Sequence, residues 1–371
     1  MMKQIILLLV LLVCMNTYSQ SDLPIPDHIV ILIYENKAYD QIIGSSSAPY
    51  INELATNSNS ALFTNSYGIE HPSQPNYIDF YSGCNQGVTH NNIPEGQPFT
   101  TPNLGSQLLN SGRTFITYSE DLPEVGFNGM ESGYYARRHN PAANWMGTGE
   151  NQIPPETNQP FSAFPTSDFS LLPDVCFVIP NVMNDMHDGS ISTGDEWYYI
   201  HLSDYVEWAQ TNNSLFILTF DEDNYNNGNH ITTIFSGPMM NGGAYSDSIN
   251  HYSVLRTIEE LYGLSYICNA DSVNTINNCW NITGTNNIDR KSIVLYPNPA
   301  TGAFLIHVPF VLYDTQMKIS IFNSNGKLVW QRELHSNDNN ITLENLNSGM
   351  YFYQLVSGHE ILKSDKLIIL D

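Results

Sequence analysis

The stretch HIVILIY, residues 28–34, decides the fold class. It is a run of apolar, mostly β-branched residues without the alternation of a half-exposed strand, so it predicts a strand buried on both faces. The stretches VCFVI (175–179) and LFILTF (215–220) repeat the pattern, and residues 114–118 and 231–235 are further strand candidates. Helical patterns lie between them, at residues 102–111, 195–210 and 249–262. Because strands and helices alternate, we expect an α/β fold with a mainly parallel sheet and helices on both faces.

Polar clusters follow three of these strands. Glu35 and Asn36 follow the first, NVMNDMHD (181–188) follows the second, and DED (221–223) follows the third. In open α/β sheets, ligands bind at the carboxyl ends of the strands, so we expect the clusters to meet there. Carboxylates brought together repel one another unless a cation lies between them, which predicts a divalent metal site. Each cluster taken alone is equally consistent with a helix cap or a solvated turn.

The segment HPSQPNY, residues 71–77, places Ser73 between two prolines. The prolines restrict the backbone, which would present the serine hydroxyl to a metal at the start of a helix. Metal coordination lowers the pKa of a hydroxyl enough to make it a nucleophile. The alternative is that Ser73 is an ordinary helix N-cap.

Histidine and arginine residues are candidates for binding an anion. His187 lies in DMHD (185–188) and His139 in RRHN (137–140). A histidine flanked by carboxylates can stabilise phosphate oxygens or protonate a leaving alkoxide, and Arg137 and Arg138 could bind phosphate in a bidentate manner. Each of these residues could instead have a structural role.

The N-terminus and the charge indicate an exported protein. Lys3, an apolar run over residues 5–15 and a polar stretch to Gln20 form a signal peptide pattern for residues 1–20. A lipoprotein signal ending at Cys14 is the alternative, but Val13 stands where a small residue is usual. The formal net charge is −24, from 13 Lys and Arg against 37 Asp and Glu. This charge disfavours nucleic acid as a partner, and we expect no stable membrane insertion.

Four cysteines remain after the signal peptide, which suits one or two disulfides in an exported chain. We expect Cys268 to pair with Cys279, because this pair closes a short loop at the end of the first domain. Which of the four pair is otherwise open.

The sequence changes character after Trp280. A polar stretch leads into LYPNPATG (295–302), followed by short alternating strands and the hairpin signal Asn325-Gly326. We expect a small β-sandwich. The predicted domains are the signal peptide (1–20), a catalytic domain (21–285), a linker (286–294) and a C-terminal domain (295–371).

Eight stretches of the sequence resemble a known family. The strings HIVILIYEN, APYINELA, HPSQPNYIDFYSG, YSEDLP, YYARRHNP, VIPNVMNDMHD, TFDED and INHYSVLRTIEELYGL resemble the bacterial phosphoesterase family of acid phosphatases and phospholipases C, over about residues 28–280. The resemblance implies an alkaline-phosphatase-like fold. Residues 295–371, with YPNP, NSNGKLVW and GMYFYQL, resemble the C-terminal sorting domain of type IX secretion cargo. An immunoglobulin-like adhesion module is the alternative for this tail.

The resemblance also implies roles for individual residues around one divalent metal of unknown identity. It implies the metal ligands Glu35, Asn36, Ser73, Asp221 and Glu222. Some relatives carry Asp-Asp where this chain has Asp221-Glu222, so Asp223 competes with Glu222. We assign catalysis to Ser73 and His187. We assign phosphate binding to His139, Arg137, Arg138, Asn76 and Asp185, with His71, His230 and His251 as weaker candidates.

The expected function is that of a secreted or cell-surface acid phosphatase, exported through the periplasm by the type IX machinery. It would hydrolyse phosphate monoesters, phosphoinositides among them, through a phosphoseryl intermediate. A phospholipase C that cleaves a phosphodiester is the first alternative. A non-catalytic surface binding protein on the same scaffold is the second.

Overall fold

The computed structural model describes residues 23–281, 293–308, 317–334, 338–343, 346–357 and 360–370. The expected signal peptide (1–20) and residues 286–292 of the expected linker lie outside the described residues. The chain divides into two compact units, residues 1–282 and 283–371, and each is described by itself.

The first unit is built on one sheet. Its strands are β1 His28–Tyr34, β2 Ser60–Tyr67, β3 Phe115–Ser119, β4 Glu131–Ser132, β5 Tyr135–Ala136, β6 Asn158–Pro160, β7 Val175–Ile179, β8 Ser214–Phe220, β9 His230–Ser236, β10 Gly243–Tyr245 and β11 Ile249–Asn250. The sheet order is β10-β2-β9-β8-β1-β7-β3-β6, with β11 also on β2 and with β4 and β5 as a separate hairpin. Neighbours are parallel except β9, which is antiparallel to both β8 and β2.

Helices cover both faces of this sheet. They are α1 Tyr39–Ile42, α2 Pro49–Ala55, α3 Ser73–Ser82, α4 Leu104–Asn110, α5 Ile191–Ala209 and α6 His251–Tyr262. Alternate residues of β1 belong to two separate cores: Ile29, Ile31 and Ile33 pack with α3, α4 and α6. Val30, Leu32 and Tyr34 pack with α1, α2 and α5. Successive side chains of a strand point to opposite faces, and both faces of β1 are covered, which explains why residues 29–34 are all apolar. The predicted α/β fold is confirmed.

The predicted elements differ from the observed ones mainly at their ends. α5 begins four residues earlier than expected, because Ser190 caps it by accepting a hydrogen bond from the Thr193 amide. α6 begins after Asn250, whose side chain accepts from the Ser253 amide. The strand β2, SALFTNSY, was not predicted, since its second half is polar.

The helix α3 positions the candidate nucleophile. All ten of its residues are buried, so both its start at Ser73 and its end are fixed by packing. It ends at Gly83, in the left-handed region with φ of 73°, and a Cβ there would collide with the carbonyl of Ile267. Only glycine fits this close approach without strain.

The same close approach explains the disulfide. Cys84 is bonded to Cys268, and the Asn269 amide donates to the Gly83 carbonyl at 3.0 Å. The expected pair of Cys268 with Cys279 is therefore wrong, because Gly83 packs against Ile267 and Cys268 and so places Cys84 beside Cys268. Cys279 and Cys176 are buried as thiols.

The second unit contains two antiparallel sheets around one core. Its strands are β12 Val294–Tyr296, β13 Ala303–His307, β14 Met317–Phe322, β15 Leu328–Glu333, β16 Asp338–Thr342, β17 Gly349–Ser357 and β18 Glu360–Ile369. The sheet orders are β12-β13-β16 and β15-β14-β17-β18. Phe304 and Ile341 of the first sheet share a core with Ile319, Leu355 and Leu367 of the second. The turn between β14 and β15 contains Gly326 at φ of 75°, as the Asn-Gly signal predicts.

Candidate active site

The site lies at the carboxyl ends of the parallel strands. In the register of β1 and β8, Tyr34 is opposite Phe220, so the residues that follow, Glu35 and Asp221, are also neighbours. The Asn36 amide donates to Asp221 Oδ1 at 3.1 Å, and the Asn36 side chain donates to Glu35 Oε2 at 3.1 Å. The first and third polar clusters therefore meet.

The Ser73 hydroxyl lies between the carboxylates of Glu35 and Glu222. Its Oγ is 3.0 Å from Glu35 Oε2 and 3.1 Å from Glu222 Oε1. Burial, followed by the charge of Asp221, raises the pKa of Glu222 to about 9. Burial also raises the pKa of Glu35, followed by the charges of Asp221 and Asp185. The hydroxyl thus contacts a concentrated, buried set of acidic groups.

The second polar cluster, residues 181–188, is connected to the site through His139. Its Nδ1 is 2.8 Å from Asp185 Oδ2, and its Nε2 is 3.1 Å from Glu35 Oε1. Burial lowers the pKa of His139, and the neighbouring Arg138 and His187 lower it further. A neutral ring with its proton on Nδ1, donated to Asp185, turns a lone pair on Nε2 towards Glu35.

His187 completes a group of potential metal ligands. One nitrogen of His187, one nitrogen of His139 and one oxygen of Glu35 lie within 4.8 Å of one another. The Nδ1 of His187 is 2.7 Å from Asp188 Oδ1, and about a quarter of its side chain, 27%, is exposed. His187 therefore lies at the edge of the site, whereas His139 lies inside it.

The buried polar atoms of the site fit a cation. Glu35 Oε1, His139 Nε2 and Asp221 Oδ2 are buried, and among the described residues none of them has a hydrogen-bond partner. Buried acceptors without partners are costly, and two of these face each other at 3.1 Å. Ligand atoms about 2.1 Å from an ion and at right angles to one another lie roughly 3 Å apart. The residues present therefore suit a divalent metal.

Glu222, rather than Asp223, completes the acidic set. The carboxylate of Asp223 accepts hydrogen bonds from the amides of Tyr225, Asn227 and Asn229 at 2.6–2.8 Å. It therefore organises its own loop, whereas Glu222 contacts the Ser73 hydroxyl. His71 contacts Glu222 Oε2 through Nδ1, and its Nε2 is 3.6 Å from Asp223.

Two residues expected to bind phosphate have other contacts. Each guanidinium nitrogen of Arg137 donates to protein groups: Nε to Asn128, Nη1 to Asn144, and Nη2 to Gln97 and the Ala143 carbonyl. We therefore assign Arg137 to anchoring these loops.

Asn76 is held in a similar way. Its Oδ1 accepts from the amides of Ile69 and Glu70 at 2.9 Å, and its Nδ2 donates to the Glu70 carbonyl at 2.6 Å. It shapes the segment before Ser73, with one long contact of 3.4 Å to Glu222.

The weaker histidine candidates also support backbone. A ring nitrogen of His251 is 2.7 Å from the Asp221 carbonyl, and one of His230 is 3.0 Å from the Thr64 carbonyl. Arg138, in contrast, is not held by short hydrogen bonds to backbone groups of the described residues. Its Nη1 has a long contact of 3.5 Å to Glu131, whose side chain is exposed.

Sequence reasoning missed two residues that hold the 181–188 loop. Glu120, directly after β3, accepts from the Asn181 amide, the Asn184 side chain and the Trp197 indole at 2.9–3.0 Å. Lys37 donates to the Met186 carbonyl at 2.6 Å, and burial lowers its pKa. Glu120 could have been predicted from the sequence, because it directly follows a strand and so lies at the edge of the sheet where the parallel strands end.

Comparison with known proteins now identifies the family. Residues 45–265 match the Phosphoesterase family model. The chain belongs to the phosphoesterase family. It is similar to a phosphatidylinositol-3-phosphatase of Mycobacterium tuberculosis, with 44% identity over 262 residues, which cover 70% of this chain and 85% of that protein. It is also similar to an acid phosphatase of Aspergillus fumigatus, with 29% identity over 65% of this chain and 58% of that protein. The prediction of a phosphatase is confirmed.

Residues 294–370 of this phosphoesterase match the secretion system C-terminal sorting domain. The protein is therefore exported, to the cell surface or beyond, as predicted. No helix in the described part of the chain combines the length and the apolar character needed to cross a bilayer. Among solved structures, a Vibrio parahaemolyticus protein in the alkaline phosphatase superfamily has a TM-score of 0.49 and 12% identity, over 87% of this chain and 83% of that chain.

Proposed function

We propose that this protein is a secreted acid phosphatase that hydrolyses phosphate monoesters, with Ser73 as nucleophile. The observation that carries the proposal is the position of the Ser73 hydroxyl, 3.0 Å from Glu35 and 3.1 Å from Glu222, at the first residue of a buried helix. A structural N-cap would need no such pair of carboxylates.

The acidic set of Glu35, Asp221 and Glu222, together with His139, would hold a divalent metal. Glu35 and Glu222 contact the Ser73 hydroxyl, and the second oxygen of Glu35 faces His139 Nε2 at 3.1 Å. Asn36 stays in the proposed ligand set, next to Glu35 Oε2. A bound metal would lower the pKa of the serine hydroxyl and offset the negative charge of the ester.

The chain's own residues account for the proposed steps. Ser73 Oγ attacks phosphorus in line, and Glu35 or Glu222, both within hydrogen-bond distance, receives its proton. His187 protonates the leaving alkoxide as the ester bond breaks. Water then hydrolyses the phosphoserine, which releases inorganic phosphate and restores the hydroxyl.

The phosphate would be bound by residues on the side of His139. We propose that Arg138 exchanges its long contact to the exposed Glu131 for the phosphate oxygens. Asp185 holds the His139 ring in orientation at 2.8 Å. His71 and His187 keep 25% and 27% of their side-chain surface exposed, whereas Ser73 is buried, so the ester would enter between these two histidines.

The proposal also covers the substrate class, the domain bounds and the secretion route. The name of the mycobacterial relative makes phosphoinositides a substrate class to test first. Residues 21–285 would form the catalytic domain, and residues 286–294 the linker. Residues 295–371 would be recognised by the type IX secretion machinery.

The decisive experiment measures inorganic phosphate release by Ser73→Ala. We expect at least a thousandfold loss with aryl phosphates and with phosphoinositides, because the nucleophile is absent. Ser82→Ala is the matched control, since Ser82 is a buried serine of the same helix that donates to the Ile78 carbonyl. Mass spectrometry of acid-quenched wild type should find phosphate on Ser73.

Three results would overturn the proposal. Near-normal turnover by Ser73→Ala would exclude this nucleophile. Release of phosphocholine from phosphatidylcholine, with no inorganic phosphate from monoesters, would favour the phospholipase C alternative. Inactivity towards both ester classes with every divalent metal tried would favour a binding protein.

A further inference from the structure

Tyr225 is an exposed aromatic residue at the edge of the site. Its relative exposure is 66%, and its ring is stacked on His71 with the centroids 3.9 Å apart and an angle of 20° between the planes. His71 contacts Glu222, and Glu222 contacts Ser73. Three successive contacts therefore connect this exposed ring to the proposed nucleophile.

The fold holds Tyr225 in this place at a conformational cost. Its φ is +67°, a left-handed value that is unfavourable for a bulky residue. The carboxylate of Asp223 stabilises the turn by accepting from the amides of Tyr225, Asn227 and Asn229. The side chain of Asn227 donates to Asp40 at 2.8 Å, which ties the loop to the start of α1. These hydrogen bonds hold the loop, and with it the exposed ring of Tyr225, in one conformation.

One face of the Tyr225 ring is available to a ligand. His71 covers the other face, and the exposure of the residue shows that much of the ring meets solvent. Burial raises the pKa of the Tyr225 hydroxyl, and the charges of Glu222 and Asp221 raise it further, so the hydroxyl lies within the field of the site. A flat, open aromatic face that is three contacts away from the proposed nucleophile suits the ring of a leaving group.

We propose that Tyr225 determines substrate specificity by stacking on the leaving group, and that this phosphatase prefers monoesters of ring-bearing alcohols to those of small acyclic alcohols. This inference rests on the proposed function, because it assigns Tyr225 to the alcohol part of an ester that Ser73 attacks. Esters of small acyclic alcohols would not reach the ring, so they would gain nothing from it.

The test uses the full chain and compares cyclohexyl phosphate with isopropyl phosphate. Both esters release a secondary alcohol, but only the first alcohol contains a ring. For Tyr225→Ala we expect kcat/KM to fall about tenfold with cyclohexyl phosphate and less than about twofold with isopropyl phosphate. Tyr225→Phe should keep the preference, because it keeps the ring. Tyr199→Ala is the control, since Tyr199 is also an exposed, stacked tyrosine but contacts Tyr50.

The outcomes are distinct. Equal losses with both esters in Tyr225→Ala would show that the ring only shields His71 and Glu222 from water, and would overturn the inference. Unchanged kcat/KM with both esters would overturn it as well. If wild type released phosphate from neither ester and from no aryl phosphate, the proposed function would fail, and this inference with it. Release from aryl phosphates alone would overturn this inference and leave the proposed function standing.

Discussion

Glu259 is a buried carboxyl of α6 outside the candidate site. Its Oε1 accepts from the Ile267 amide at 3.1 Å, and burial raises its pKa to about 9. Because the folded-state pKa is above the unfolded value of about 4.5, the folded state retains a proton that the unfolded state releases. The contribution of Glu259 to the free energy of unfolding is therefore fully present below about pH 4.5 and is lost as the pH rises towards 9.

We predict that Glu259→Gln makes the free energy of unfolding less dependent on pH. The amide keeps the acceptor for Ile267 and cannot ionise, so the variant should be more stable than wild type by roughly 2 kcal/mol at pH 8. Urea unfolding at pH 4.5 and pH 8 measures this difference. An equal change in stability at both pH values would show that ionisation of Glu259 is not the cause.

At the scale of single elements, the loop of residues 181–188 depends on Glu120. This carboxylate accepts from an amide, a side-chain amide and an indole, and the loop it holds carries Asp185 and His187. Removing it leaves three donors of the loop and of α5 without their acceptor. Such losses cost about 1–3 kcal/mol each when the groups stay buried.

We predict that Glu120→Ala lowers kcat at least tenfold and lowers Tm by several degrees, because the loop loses its fixed shape. Asp121→Ala is the matched control, since Asp121 has one side-chain contact to the same loop, from Asn181 at 2.8 Å. Phosphate release and thermal unfolding measure the effect. Equal behaviour of the two variants would contradict a special role for Glu120.

The elements also show what a sequence can and cannot specify. HIVILIY, VCFVI and LFILTF were predictable because a strand buried on both faces must be apolar at every position. β2 was missed because Thr64, Asn65 and Ser66 break this pattern. The partners of Arg137 and the pairing of Cys84 with Cys268 depend on loops brought together by tertiary structure, and no local pattern encodes them. The three polar clusters could be placed at one edge because parallel strands share their direction.

For the whole molecule, a bound metal would couple activity to stability. Glu35, Asp185, Asp221 and Glu222 are buried, and burial raises the pKa of each of them. A cation bound only to the folded state stabilises it, by about 4 kcal/mol when present at a thousand times its Kd. We predict that chelation lowers Tm and abolishes phosphate release, and that a divalent metal restores both.

The control for this prediction is the double variant Glu35→Gln with Asp221→Asn. Its Tm should not respond to a chelator, because two proposed ligands have lost their charge. Differential scanning calorimetry measures the response without reference to activity. A wild-type Tm that is indifferent to chelation would contradict a resident metal.

The disulfide between Cys84 and Cys268 sets an order of events during export, because disulfides form outside the reducing cytoplasm. Its two cysteines are separated by 184 positions, so Cys84 leaves the cytoplasm while most of the catalytic unit is still inside. Cys176 follows before Cys268 and is the first alternative partner. Once β7 has joined the sheet, Cys176 is buried and its pKa is raised, so it no longer forms the reactive thiolate. We therefore expect early pairing of β7 with the strand HIVILIY to limit mispairing before the last helix has crossed.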